Sequence, residues 1–149
     1  MQKQGLRFWE VNAKEKKEVI FSTGQLLWET ANEYFNYCAD NPIEPVGGGQ
    51  FKPKVSPFNL QGMCLYMGCT TKYFNDIKVE LVLREETLTD TEQELLSMME
   101  RIEDVIYTFK YSYAVTGLLN VRMIMHDLEH SGRKTVVKRI IRVRSQSGE

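Results

Sequence analysis

Two histidines in the segment HDLEH, His126 and His130, come closest in type and spacing to a metal site in this 149-residue sequence. Their spacing matches the His-Glu-x-x-His motif of zinc proteases, in which a helix places both imidazoles on one side. However, Asp127 replaces the glutamate of that motif, and the chain has no third histidine. Histidines near a helix C-terminus are also favoured by the helix dipole without any metal. We therefore expect helix-end histidines, no metal, no cofactor and no enzyme.

Other reactive residue types also favour structural roles. The segment GGGQFKPK lacks the spacing of a phosphate-binding loop and has no apolar strand before it. Cys38, Cys64 and Cys69 do not have the spacing of a zinc site, so we expect buried, reduced thiols. The sequence shows no signal peptide and no apolar run long enough to cross a bilayer, which predicts no membrane partner. A cytoplasmic protein is expected.

A nucleic-acid site is the chemistry that the spacing does support. Residues 60–67 predict a short helix with Leu60, Cys64 and Met67 facing inward, and Gly68 predicts a turn. Thr70 or Thr71 then caps a second helix whose buried side carries three apolar residues, Phe74, Ile77 and Leu81. This order is typical of a helix-turn-helix. Its second helix is expected to expose three residues that contact bases and phosphates: Lys72, Asn75 and Lys78.

A purely structural helical corner remains the alternative for this segment. The same helix is expected to expose Asp76 and Glu80, whose carboxylates would repel a phosphate backbone. The net charge of −1 also differs from that of a typical DNA-binding protein. That sum conceals segregated charges, since nine acidic residues fall between Glu80 and Asp104 against two arginines. The pattern therefore indicates the corner more strongly than it indicates groove reading.

The C-terminal segment holds a second group of candidate DNA contacts. Between residues 133 and 144 there are six basic residues and no acidic ones: Arg133, Lys134, Lys138, Arg139, Arg142 and Arg144. The β-branched residues and the preceding Gly132 favour a strand, although helical spacing also fits Val136 with Ile140. Because no other segment reads as a strand, its backbone partners must come from other copies of the chain. A ring of subunits could close these strands into a barrel.

The remaining elements are predicted to be helical. Ser22 and Gln25 form a capping box before a helix with Leu27, Ala31, Tyr34, Phe35 and Cys38 on one face, and this helix ends at Asn41-Pro42. A loop carries all four prolines within residues 42–57. Thr91 and Glu94 form a second capping box before a long helical run to Gly132.

In that run, apolar residues repeat at intervals of four and three: Leu95, Met99, Ile102, Ile106, Phe109 and Tyr113. Gly117 marks either a kink or a hairpin turn. We expect three parts, an N-terminal arm (1–21), a helical core and oligomerisation domain (22–132) and a basic strand with a tail (133–149). In the arm, little besides Phe8 and Trp9 is expected to make ordered contacts.

The order of several segments resembles the small terminase subunit of tailed double-stranded DNA phages, of the Salmonella podovirus type. These segments are RFWE, LLWETANEYFNYCADNP, LQGMCLYMGCTTKYFNDI and IEDVIYTFKYSYAVTGLLNVRMIMHDL, between Arg7 and Leu128. The resemblance implies a ring-shaped homo-oligomer of mainly helical subunits, crowned by a β-barrel. It also implies recognition of viral DNA in the host cell cytoplasm and presentation of that DNA to the large terminase subunit, which holds the ATPase and nuclease.

We therefore predict a ring-forming, DNA-binding regulator of genome packaging. The resemblance assigns DNA contact to the three corner residues and the six basic residues of the terminal segment. The main alternative is an oligomeric helical scaffold or adaptor that binds only protein. A monomeric helix-turn-helix repressor and a zinc enzyme are further alternatives, distinguishable by oligomeric state and metal content.

Overall fold

A computed structural model of the chain describes residues 10–42, 58–115 and 121–129. The helices are α1 (Lys17–Ile20), α2 (Gly24–Asp40), α3 (Leu60–Tyr66), α4 (Thr71–Leu83), α5 (Asp90–Val115) and α6 (Val121–Glu129), with a 3₁₀ turn at Glu85–Thr87. The described residues form no strand, so the prediction of a mainly helical subunit is confirmed. The predicted C-terminal strand, most of the proline-rich loop and the question of a kink or hairpin at Gly117 lie outside the described residues.

The N-terminal cap of α2 lies one residue after the predicted cap, Ser22. Thr23 has an extended backbone, and its hydroxyl oxygen accepts a hydrogen bond from the Leu26 amide at 3.2 Å. The Ser22 hydroxyl makes a different contact, donating to the Val19 carbonyl at 2.6 Å at the end of α1. The predicted Ser22 cap is therefore wrong, because Thr23 is the residue that precedes the helix and accepts from its Leu26 amide.

The predicted core face and C-terminus of α2 are confirmed. Leu27, Ala31, Tyr34 and Cys38 are buried, and Phe35 packs against the core beside them. The helix ends at Asp40, with Asn41 as its C-terminal cap. Its first residue, Gly24, lies so close to α5 that a Cβ there would stand 2.7 Å from the Glu94 carbonyl oxygen. The backbones of the two helices therefore approach each other closely at this end, where only glycine fits.

Helix α5 also begins with a capping box, but two residues before the predicted one. The Thr89 hydroxyl accepts from the Glu92 amide at 3.2 Å, and the Glu92 carboxylate accepts from the Thr89 amide at 3.3 Å. Thr91 lies inside the helix, so the predicted Thr91–Glu94 box is wrong. The predicted seam is confirmed, because its first four residues are buried: Leu95, Met99, Ile102 and Ile106. Phe109 and Tyr113 extend it as half-buried rings 4.3 Å apart.

The N-terminal segment contributes more to the core than predicted. Ile20 and Phe21 are buried, and the Phe21 ring meets the edges of Tyr73 and Phe74. The Ala13 amide donates to the Tyr66 carbonyl at 2.9 Å, which attaches this segment to α3. The expectation of few contacts in the arm is therefore wrong for residues 13–21, whereas Phe8 and Trp9 lie outside the described residues. None of the described helices combines the length and the apolar character that crossing a membrane requires.

Candidate nucleic-acid interface

The helical corner formed by α3 and α4 has the local structure that its sequence predicts. Asn59 caps α3 by accepting from the Gly62 amide at 2.7 Å, and Thr70 caps α4 by accepting from the Tyr73 amide at 3.1 Å. Between the helices, Gly68 has a φ of 74°, which is the left-handed conformation that favours glycine. The predicted turn at Gly68 and the predicted threonine cap are both confirmed.

The inner sides of the corner join the common core. Cys64 on α3 and Met67 at its C-terminal cap are buried, and Phe74 and Leu81 are buried on α4, as predicted. Leu60 and Ile77 are half-buried against them. Because these residues hold both helices to the core, they determine which side of α4 faces the solvent. The exposed residues on that outer side form the candidate interface.

Lys72 is the predicted corner contact that reaches the surface. Its side chain is 79% exposed, and its ammonium donates to the Asp76 carboxylate at 2.5 Å, one turn along α4. Exposed pairs at this spacing contribute only about 0.5 kcal/mol, because water screens both charges. A phosphate could therefore replace Asp76 as the partner of Lys72 at little cost.

The other charged residues on the outer side of α4 are already paired with each other or with α5. Glu80 accepts from the Arg84 guanidinium at 3.4 Å, and Arg84 also donates to Glu92 at 2.6 Å in the first turn of α5. The hydrogen bond from Arg84, with that from Thr89, lowers the pKa of Glu92, and the same carboxylate raises the pKa of Arg84. The C-terminal half of α4 is thus a chain of ion pairs, and Lys72 lies at the opposite end.

Asn75 and Lys78 do not lie on the surface, so the prediction that α4 exposes them is wrong. Each residue is buried, and Lys78 donates from its ammonium to the Glu103 carboxylate of α5 at 2.6 Å. The helical spacing indicates that Lys78 is on the buried side, since it lies four residues after Phe74 and three before Leu81, which are both buried. Glu103 likewise follows Met99 by four residues. The expected preference of charged residues for water was overridden here by pairing.

The structure also adds a cation to the corner that the sequence did not assign there. The ammonium of Lys17 lies 4.9 Å from the centre of the Tyr73 ring, on the first turn of α4. Lys17 is one of three lysines in the segment AKEKKE, of which Lys14 and Lys16 are exposed. This contact joins segments more than 50 residues apart, so no local spacing could have indicated it. The cations of the corner therefore include Lys17, the first residue of α1, as well as Lys72, and the exposed Lys14 and Lys16 precede Lys17 in the chain.

Two cysteines lie together beneath this end of the corner. The Cys64 thiol donates a hydrogen bond to the Cys69 sulfur, which raises the pKa of Cys64 and lowers that of Cys69. The nearby charge of Lys17 lowers the pKa of Cys69 further. All three cysteines are free thiols, and Cys38 and Cys64 are buried as predicted, whereas Cys69 is half-buried.

The other candidate residues lie at or beyond the edge of the described chain. His126 is exposed on α6, whereas His130 and all six basic residues of the terminal segment fall outside the described residues. Across the ranges that the structure does describe, no group of three or more His, Cys, Asp or Glu side chains could hold a metal ion.

Comparison with known proteins supplies the class of this chain. The sequence model of a family described as DNA-packaging protein gp3 matches residues 16–136. The terminase small subunit of Salmonella phage P22 is 26% identical to the chain over 133 residues, covering 84% of this chain and 75% of that protein. No solved structure matches the chain.

Proposed function

The chain belongs to the DNA-packaging protein gp3 family, and from that premise we propose that it is a small terminase subunit that works as a homo-oligomeric ring. The ring binds double-stranded viral DNA in the host cell cytoplasm and brings it to the large terminase subunit. ATP hydrolysis and DNA cleavage belong to the large subunit, and the small subunit regulates them by positioning the DNA. The basic terminal segment closes the ring as an intersubunit barrel.

The observation that best supports the proposed assembly is an exposed apolar surface. We call the residues Tyr107, Tyr111 and Val115, which recur at intervals of four along one side of α5, the outer apolar face. All three are exposed, with Tyr111 at 56% and Val115 at 67%. The rings of Tyr107 and Tyr111 are nearly parallel, with their centres 6.4 Å apart. Helix α5 is therefore apolar on two sides, of which the subunit itself covers one.

Contact with other copies of the chain is the simplest way to cover this face. Contiguous exposed apolar surface on a soluble protein is typical of an interaction site. A closed ring gives every subunit the same neighbour on each side, so the face is covered in all copies at once. Aromatic side chains such as those of Tyr107 and Tyr111 are enriched in protein interfaces.

Assembly also accounts for DNA binding by a chain of nearly neutral charge. A single subunit offers Lys72, the lysines before α1 and the basic terminal segment, and each phosphate contact is weak. A ring repeats these contacts once per subunit on one DNA molecule, so their effects combine into useful affinity. Binding of this kind releases counterions from DNA and therefore weakens steeply as salt rises.

Two measurements on the purified full chain test this function. Native mass spectrometry should give one closed oligomer of defined subunit number. A filter-binding series on double-stranded DNA should show log Kd rising linearly with log salt concentration. A monomer that binds DNA would favour a simple repressor, and an oligomer with no DNA binding at about 50 mM salt would favour a scaffold that binds only protein.

A further inference from the structure

We propose that Lys78 and Glu103 are positioning residues that hold α4 on α5 in one register and thereby aim the outer side of the corner at DNA. Their part in DNA binding rests on the proposed function, whereas their part in placing α4 can be measured without DNA. Lys78 thus acts through the position of its helix and touches no phosphate itself.

The geometry of the pair shows a fully enclosed ion pair between two helices. The ammonium of Lys78 lies 2.6 Å from the Glu103 carboxylate, and both side chains are only 7% exposed. A second link, from Arg84 to Glu92 at 2.6 Å, lies near the end of α4 and the start of α5. Since the later residue of α4 meets the earlier residue of α5, the two helices run in opposite directions. Only the Lys78–Glu103 link is enclosed, so it is the contact that fixes their relative register, whereas the Arg84–Glu92 link is exposed to water.

The surroundings of the pair indicate that it serves more than stability. Among the described residues, neither the Oε1 atom of Glu103 nor the Oδ1 atom of Asn75 has a hydrogen-bond partner, although both atoms are buried. An unpaired buried acceptor is unfavourable, and apolar side chains of similar size often stabilise such a place better than an ion pair. Specification of one arrangement is a recognised role for buried polar groups that are retained in this way.

The apolar packing on the inner side of α4 explains why an ion pair is needed to fix the register of this helix. The Phe74 ring packs edge-on against Phe21, and Leu81 joins the same core. Apolar contacts are non-directional, so they resist separation of helices more strongly than they resist a small rotation or slide. A rotation of α4 would turn Lys72, which lies on its outer side, away from the surface that the assembled ring is proposed to present to DNA. An enclosed ion pair tolerates no such movement without leaving a charge unpaired.

Three variants of the full-length protein test the proposal: Lys78→Met, Glu103→Leu and the double variant that carries both. Each single change leaves one buried charge without its partner, so each should lower Tm strongly. The double variant removes both charges and should recover most of the lost Tm. Hydrogen exchange of the α4 amides should nevertheless remain faster than in the unmodified protein, because the register is no longer specified.

DNA binding then separates positioning from stability. If α4 is correctly placed in about a tenth of the double variant's molecules, the apparent Kd rises about tenfold while the oligomer is unchanged. Arg84→Met is the matched control, because it removes the exposed link and should affect Tm and DNA binding much less.

A double variant with unchanged α4 exchange and unchanged DNA affinity would overturn the proposal. So would single variants that are as stable as the double variant. If the unmodified protein binds no DNA, the proposed function fails, and the Tm and exchange measurements alone decide whether the pair positions α4.

Discussion

Lys72 and Lys78 lie six residues apart on one helix and have opposite environments. Lys72 extends into solvent with Asp76 as its partner, whereas Lys78 is enclosed with Glu103. Both were candidates for DNA contact by residue type alone. At the scale of the residue, therefore, the face of the helix decides whether a lysine can meet a phosphate.

Changing Lys72 to alanine should weaken DNA binding and make it less sensitive to salt. The slope of log Kd against log salt concentration should fall by about 0.9 for each subunit whose Lys72 contacts a phosphate. Asp76→Asn is the matched control, and it should strengthen binding because it removes both a competitor for Lys72 and a like charge facing DNA. Equal slopes for the Lys72 variant and the unmodified protein would exclude this residue from the interface.

Tyr34 predicts how stability depends on alkaline pH. Burial raises the pKa of its phenol well above the ordinary value, and its hydroxyl accepts a weak hydrogen bond from the Asn59 amide at 3.4 Å. Above pH about 10 the unfolded chain loses this proton while the folded chain keeps it, so stability should fall as pH rises further. Urea unfolding between pH 8 and 11 should show a smaller fall for Tyr34→Phe, whereas Tyr37→Phe should retain the full fall.

At the scale of the element, both predicted capping boxes were assigned to the wrong residues. Each helix start offers two or more residues that could serve as a cap: Ser22 or Thr23 before α2, and Thr89 or Thr91 before α5. The choice depends on which residue has an extended backbone and places its hydroxyl within reach of a helix amide, as Thr23 does with Leu26. Local sequence located the helix starts to within two residues but not the caps themselves.

The α5 cap can be tested by comparing two threonines. Thr89→Ala removes the hydroxyl that accepts from Glu92 and should lower the free energy of unfolding by about 1 kcal/mol. Thr91→Ala changes an exposed side chain inside the helix and should alter it by less than about 0.5 kcal/mol. Urea unfolding measures both, and a larger loss for Thr91→Ala would return the cap to its sequence-predicted position.

At the scale of the whole molecule, the two apolar sides of α5 have different roles. The seam from Leu95 to Ile106 is covered by the other helices of the same chain. The outer apolar face has no such cover within the described residues. The subunit is consequently folded around one side of α5 and is proposed to assemble through the other.

Tyr111→Glu should therefore dissociate the oligomer without unfolding the subunit. A carboxylate in the middle of a desolvated interface is strongly unfavourable, whereas on an exposed surface it is tolerated. Native mass spectrometry should show smaller species, and circular dichroism should show unchanged helix content. Gln93→Glu adds the same charge to the exposed start of α5 and should leave the oligomer intact; an intact oligomer in the Tyr111 variant as well would place the interface elsewhere.

The sequence by itself determined the mainly helical class, the core faces of α2 and α5, and the turn at Gly68 with its following threonine cap. These features depend on residue spacing within one element, where apolar periodicity and glycine act locally. The resemblance to small terminase subunits was also read from the order of segments, and the family match confirms it.

Only the tertiary structure decided which polar residues are buried and which segments meet. Lys78 can be buried within α4 only because the fold brings Glu103, 25 residues later in the chain, into contact with it. Lys17 likewise lies at the corner only because the fold brings it against the ring of Tyr73, which belongs to a distant segment. The physical cause is that burial of a charge depends on a partner brought by the fold, whereas helix formation and apolar patterning depend on near neighbours in the chain.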